Sequence, residues 1–331
     1  MVSAAVLIAK GTASAVSGCT GLEGAQFLRL GAGARAAAMG EAFSAVTSGP
    51  ESLYWNPAGL ARIPASAWMM SHAEYLGLFR HETLYGAVPS DRLKGTLGLG
   101  LSYMTQDSIE AFDKTGAATG ESFRPDSMLF SAGYARELRF KETSLGAGAA
   151  VSWLHESLWT ESASAFAMDI GVQAVHDRAR DWRAGAALRH FGSRQKFINE
   201  TASLPTELDL GLAYEPGDGR NGWTVSAEAA VPYYADAHAK LGVERRIALG
   251  QEMTLAARGG FNTRTLSSLG AGSAFSFGFG LYLKRTSWDF SFNNQGDLGS
   301  VYRFGFGWRF AGNSGERTKR WNSDVAPIFP F

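Results

Sequence analysis

Large apolar residues alternate with small or polar ones, at a period of two, from about Ser66 to about Phe310. The last segment is the clearest: Tyr302, Phe304, Phe306, Trp308 and Phe310 alternate with Arg303, Gly305, Gly307 and Arg309. Successive side chains of a strand point to opposite faces, so aromatics line one side of this segment and arginines the other. A soluble sandwich strand would turn its apolar face to the core and use smaller branched residues there. Aromatics against lipid and arginines against a wet lumen fit a membrane barrel instead. The same pattern runs through Leu97, Leu99, Leu101 and Tyr103, and through Leu208, Leu210, Leu212 and Tyr214. It recurs in Phe275, Phe277, Phe279 and Leu281, which alternate with Ser276, Gly278, Gly280 and Tyr282. Trp288, Phe290 and Phe292 alternate likewise with Asp289, Ser291 and Asn293. About fourteen such segments are present, each near the roughly 9–11 residues that a tilted strand needs to cross a bilayer.

The connections give an independent test. Every second one is tight: Ser90 to Leu93, Leu138 to Lys141, Asp177 to Arg180, Gly217 to Asn221, Gly250-Gln251 and Lys284-Arg285. Those between tend to be longer, notably Gln106 to Asp126, Ser193 to Ser203 and Asn294 to Ser300, although the ones near Gly77 and Tyr234 are short. Outer-membrane barrels have short periplasmic turns and longer outer loops. The prediction is an all-β chain: a transmembrane antiparallel up-and-down β-barrel of about fourteen strands over residues 66–311, with both termini periplasmic and an N-terminal hatch or plug over residues 20–65.

Composition is compatible with this. The chain of 331 residues is 45% apolar with a mean hydropathy of -0.10, and has no apolar run of the length a spanning helix needs. A barrel strand shows lipid only every second residue, so its hydropathy averages out. The 40 glycines and the 12% aromatic content suit close strand packing and interfacial girdles. Acids and bases balance at 31 each, which gives nucleic acid no electrostatic footing. A single cysteine excludes an internal disulfide framework.

Residues 1–19 read as a signal-peptide remnant, with Val2 to Ala9 as apolar core and Ala13-Ser14-Ala15 as a small-residue cleavage site. The basic start of such a signal is missing. Val16-Ser17-Gly18-Cys19 also fits a lipoprotein cleavage box, which would make Cys19 a lipidation site; the alternative is a cysteine lost with the signal. Residues 312–331, with Arg317, Lys319 and Arg320, are expected to form a periplasmic C-terminal tail.

Residues 20–65 lack alternation and are rich in Gly and Ala. They include Gln26-Phe27-Leu28-Arg29-Leu30-Gly31-Ala32-Gly33-Ala34-Arg35, then Ala36-Ala37-Ala38-Met39-Gly40-Glu41-Ala42-Phe43, and close on Ser52-Leu53-Tyr54-Trp55-Asn56-Pro57-Ala58-Gly59-Leu60-Ala61. Small residues between Gly31 and Gly40 permit the tight backbone packing that a plug requires, and Asn56-Pro57 is a turn former. Together these stretches resemble the PorV/PorQ family of outer-membrane proteins, within the wider FadL-like superfamily of hydrophobic-compound channels. The resemblance implies a 14-stranded barrel with an N-terminal hatch. It points to Phe27, Arg29, Gly31, Gly33, Arg35, Met39, Gly40, Trp55, Asn56, Pro57 and Gly59 as hatch residues. Many relatives carry two adjacent acids shortly before the Asn-Pro turn; here the stretch is Thr47-Ser48-Gly49-Pro50-Glu51.

Three functions are open at this level. The resemblance implies a PorV-like barrel, set in outer-membrane lipid, that works with secreted or periplasmic proteins of a type IX secretion machinery or in surface attachment. The alternative is a FadL-like channel for hydrophobic ligands such as long-chain fatty acids. The third is a barrel lipid hydrolase. His72, His81, His155, His176, His190 and His238 lack metal-ligand spacing, and no serine is marked as a nucleophile, so neither catalysis nor a cofactor or metal is expected. His155 beside Glu156 reads as a solvated pair on the barrel rim. The inferred inward faces, Ser276, Gly278, Asp289, Ser291, Arg303 and Arg309, are small or polar and argue against fatty-acid transport. A pocket built from Phe27, Leu30, Met39 and Phe43 would restore it.

Overall fold

The computed structural model describes residues 23–216 and 220–311; Cys19, the signal-like stretch and the tail lie outside them. Fourteen antiparallel strands close into one barrel. In chain order they are β1 Ala67–Tyr75, β2 Phe79–Ser90, β3 Gly95–Gln106, β4 Asp126–Phe140, β5 Thr143–Leu158, β6 Glu161–His176 and β7 Ala179–Gly192. They continue as β8 Glu207–Tyr214, β9 Gly222–Pro232, β10 His238–Leu249, β11 Met253–Asn262, β12 Phe275–Leu283, β13 Thr286–Asn294 and β14 Ser300–Arg309. β14 pairs with β1, from Ala67 opposite Arg309 to Tyr75 opposite Val301, so no edge is left unpaired.

The period-two pattern sorts as expected. In β6, Phe166, Met168, Ile170 and Val172 are exposed on the outer wall while Ala163, Ala165, Ala167 and Asp169 are buried. Cross-strand aromatics lace the outside: Phe279 packs on Phe290 at 5.1 Å and Phe290 on Phe304 at 5.0 Å, while Trp288 meets Phe306 edge-on at 4.6 Å. Among the described residues no helix is long and apolar enough to cross a membrane. The apolar outer wall is what a bilayer would meet.

Two connections predicted as plain loops hold structure. Ile109–Phe112 pairs with Ala118–Phe123, and Gln195–Phe197 pairs with Glu200–Ala202, so each long loop stands up as a small hairpin. The β11–β12 connection, not singled out from the sequence, carries a short helix, Leu266–Leu269, between two 3-10 turns.

The barrel is filled rather than open. Residues ahead of β1 run through the lumen as a 3-10 turn Gln26–Arg29, helix α1 Ala34–Ala38, helix α2 Ser52–Trp55 and a 3-10 turn Pro57–Arg62. From 31 to 62 every residue is buried except the half-buried Ala37 and Ala61. Met39, Phe43, Val46, Leu53, Trp55 and Leu60 form one apolar cluster with Tyr85, Ala135, Ala150 and Ala213 of the wall. Each large side chain so buried contributes about 1.5–3 kcal/mol. Phe27 and Leu28 form a second cluster with Leu129, Leu154, Ala165 and Leu204.

Backbone reaches the wall this closely because glycines face each other across neighbouring strands. The pairs are Gly98 with Gly133, Gly148 with Gly171, Gly185 with Gly211 and Gly242 with Gly260. A Cβ on Gly148 would meet the Pro57 carbonyl carbon at 2.5 Å, and one on Gly242 the Met39 carbonyl oxygen at 2.6 Å. Gly40, at φ +63°, needs its own glycine twice over, since a Cβ there would also meet the Phe261 nitrogen at 2.6 Å.

Candidate functional site

Asn56 fixes the lumenal segment at its centre. Its Oδ1 accepts from the Ala58 N–H at 3.1 Å and caps the 3-10 turn that Pro57 begins, while Nδ2 donates to the carbonyls of Ser44 at 2.9 Å and, on the wall, Val172 at 3.1 Å. The ring of Tyr54 ties the segment's start to its end: its hydroxyl donates to the Leu28 carbonyl at 2.5 Å and accepts from the Gly31 N–H at 3.1 Å. Trp55 Nε1 donates to the Ala32 carbonyl at 2.8 Å. Gly59 lies where a Cβ would strike the Thr47 carbonyl at 2.5 Å.

Paired charges carry the rest of the attachment. Arg35 of α1 forks onto Glu244 of β10, with both N···O distances 2.9 Å, and Glu244 also accepts from Arg258 at 2.6 Å. Arg258 continues to Asp289 at 2.7 Å. In a second group Lys240 lies 3.0 Å from both Asp209 and Glu228, and Arg189 lies 2.6 Å from both Glu207 and Asp209. Glu228 in turn accepts from the backbone N–H groups of Phe43 at 3.1 Å and Ser44 at 2.7 Å. Pairing offsets the large cost of removing such groups from water. Glu51, at the start of α2, is buried, and burial holds its carboxyl above the ordinary range.

Two clefts among the described residues lie against the wall of β1 and β11–β14, and a smaller one lies between Arg29, Tyr54, His190 and Glu207. The one toward the turn end is lined from the segment by Gly33, Ala34, Ala36, Glu51, Ile63 and Pro64, and from the wall by Met69, Asp289 and Gly305. The one toward the loop end is lined by Leu30, Ala37, Gly40, Glu41, Tyr75, Asn262, Arg264, Ser291, Val301 and Arg303. On β13 the lining passes from Asp289 to Ser291, and on β14 from Gly305 to Arg303. The clefts are thus only one strand repeat, about 7 Å, apart on the same wall. Helix α1 separates them. Its Ala34 Cβ stands 3.6 Å from where a Gly305 Cβ would be, and its Ala38 packs against Gly278.

The sequence-derived residues fall into distinct places. Gly31, Gly33, Arg35, Met39, Gly40, Trp55, Asn56, Pro57 and Gly59 sit together in the buried segment. Phe27 belongs to the separate second cluster, and Arg29 pairs with Glu23 at 2.6 Å near the segment's start. The expected pocket of Phe27, Leu30, Met39 and Phe43 does not form: Met39 and Phe43 are spent in the core, Phe27 packs elsewhere, and only Leu30 lines a cleft. The apolar lining comes instead from Ile63, Pro64 and Met69, where the segment leaves for β1. The inward set is as read, except that Arg309 is half-exposed at the turn end. His155 binds Ser164 at 2.9 Å while Glu156 accepts from Ser127 and Gln195, so the two are not partners. Among the described residues no three His, Cys, Asp or Glu side chains are grouped to hold a metal. Sequence reasoning placed Gly278 on the inward face but missed the wall partners Gly171, Glu244 and Arg258. The one signal was the spacing of Lys240, Gly242, Glu244 and Arg246 on a single face of β10.

No family model and no curated protein matches this sequence. Solved structures do share its fold. The toluene transporter TodX of P. putida superposes with a TM-score of 0.57 at 13% identity, covering 86% of this chain and 99% of its own. The Ralstonia pickettii toluene transporter TbuX gives a TM-score of 0.53 at 12% identity, covering 85% and 99%. The monoaromatic hydrocarbon channel CymD gives 0.54 at 12% identity, covering 86% and 98%. At these identities the likeness is one of fold: a closed barrel of 14 antiparallel strands.

Proposed function

We propose that this chain is an outer-membrane channel for small hydrophobic compounds, in which residues 20–65 act as a hatch inside the barrel of residues 66–311. The observation that carries the reading is the pair of clefts on one wall with only α1 between them. A solute seated among Leu30, Val301 and Ala37 needs α1 to shift by about a helix width to reach Ile63, Pro64 and Met69. The apolar outer wall and the outer-membrane barrels that share the fold support the location. Short connections at one end support placing that end, and both termini, in the periplasm.

Barrels of the same fold are toluene and monoaromatic hydrocarbon carriers, which supports the channel over the secretion component that the PorV/PorQ resemblance implied. The small, polar inward faces do not argue against it, because the apolar lining is supplied largely by the hatch and β1. The test is uptake of labelled toluene and of a labelled long-chain fatty acid by cells with and without the chain, paired with affinity capture from solubilised membranes. Faster uptake with no co-purifying secreted protein is expected. Unchanged uptake together with a stable secreted or periplasmic partner would overturn the proposal in favour of the secretion role.

A further inference from the structure

We infer that the turn end of the barrel is a binding belt for anionic phospholipid head groups. Among the described residues, exposed lysines and arginines outnumber exposed acids at the turn end, and the order reverses at the loop end. Three turn-end cations are matched by carboxylates: Arg139 with Asp177 at 2.6 Å, Arg178 with Glu142 at 2.8 Å and Lys284 with Glu252 at 3.1 Å. Arg92, Lys94, Arg136, Lys141 and Arg285 are exposed and have no carboxylate within ion-pair distance among the described residues. Arg136 points outward, since its neighbour Ala135 is buried against the lumen.

These cations adjoin an outward aromatic band at the same end. Phe140, Trp182, Trp223 and Trp308 are exposed there, and Trp182 packs on Tyr214 at 4.9 Å. Arg245 lies over the Trp223 ring at 5.3 Å. Indole and phenol rings settle at the head-group level of a bilayer, which sets the turn-end cations beside lipid phosphates. A phosphodiester accepts hydrogen bonds from guanidinium and ammonium groups, and an anionic leaflet attracts each such cation by a further increment that fades within a Debye length. At the loop end the balance is the opposite: exposed acids, among them Glu74, Asp107, Glu110, Asp113 and Glu121, outnumber the exposed cations Arg80, Lys114, Arg124, Arg194, Lys196 and Arg264 among the described residues.

This inference holds whether or not the barrel conducts a solute. The experiment reconstitutes the full chain in nanodiscs of equimolar phosphatidylglycerol and phosphatidylcholine and measures retained lipid by native mass spectrometry. A turn-end variant, Arg92→Gln with Lys94→Gln and Arg136→Gln, is compared with a loop-end variant, Lys114→Gln with Lys196→Gln. A heat-dependent gel shift verifies that each barrel is folded. Phosphatidylglycerol should be enriched on the native chain and on the loop-end variant. The preference should fall by about fivefold for each turn-end cation removed, and should weaken as salt rises. Equal retention of the two lipids, or a preference that survives the turn-end substitutions or is lost equally in the loop-end variant, would overturn it.

Discussion

At Asn56 one side chain joins three stretches of backbone, the 44–45 bend, the 3-10 turn and the β6 wall. Asn56→Ala leaves the buried Ala58 N–H without its acceptor and takes one of two donors from the Ser44 carbonyl, which keeps Gln173 Nε2, a cost of about 1–3 kcal/mol. That cost falls on the seating of the segment, because the barrel ladder does not depend on it. Hydrogen exchange should show faster exchange over residues 43–60 and unchanged protection in β6 and β7; equal loss in both would contradict this. Glu51 makes a pH prediction. Burial raises its carboxyl pKa in the seated state above the ordinary 4.5. The seated state therefore holds its proton more tightly than the released state. Seating is strongest below the ordinary value, weakens as pH rises to the raised value, and is level above it. Glu51→Gln should flatten that slope, read as segment exchange against pH.

At the scale of elements, strands and segment are fitted to each other through missing side chains. A Cβ on Gly171 would collide with Asn56 Oδ1, whereas one on Gly259, outward on β11, would meet nothing within 4 Å. Gly171→Ala should cost about 1–3 kcal/mol, and Gly259→Ala should stay within about 0.5 kcal/mol, in denaturant unfolding of the detergent-folded barrel. Comparable losses in the two would refute the close-fit account. Glu244→Gln removes the carboxylate that Arg35, Arg246 and Arg258 share, Arg258 keeping Asp289, and should destabilise by about 3–5 kcal/mol in the same assay. The strands were legible because lipid and lumen impose opposite demands every second residue, as Tyr302 to Phe310 display. The hairpins at Ile109–Phe123 and Gln195–Ala202 were not, because a hairpin standing in water has no apolar face to impose that rhythm. Glu244 and Arg258 could be read as lumenal charges, but their pairing depends on the register of β10 with β11, which alternation leaves open.

For the whole molecule, the close packing of the lumenal segment was legible in its small residues, while its docking position was not. Where α1 rests follows from Gly278 and Gly305, more than 200 residues away in the chain. The central claim is that α1 is a removable septum between the two clefts. The distance of 3.6 Å between the Ala34 Cβ and a Cβ at position 305 lies within the range of about 3.5–4.5 Å that a disulfide spans. The double variant Ala34→Cys with Gly305→Cys, in a Cys19→Ser background, therefore locks α1 to β14 on oxidation. The decisive measurement is flux of labelled toluene through proteoliposomes holding this variant, before and after reduction. The account predicts flux at the protein-free level when oxidised, recovering to that of the single-cysteine variants when reduced; equal flux through the verified cross-linked and reduced forms would contradict it.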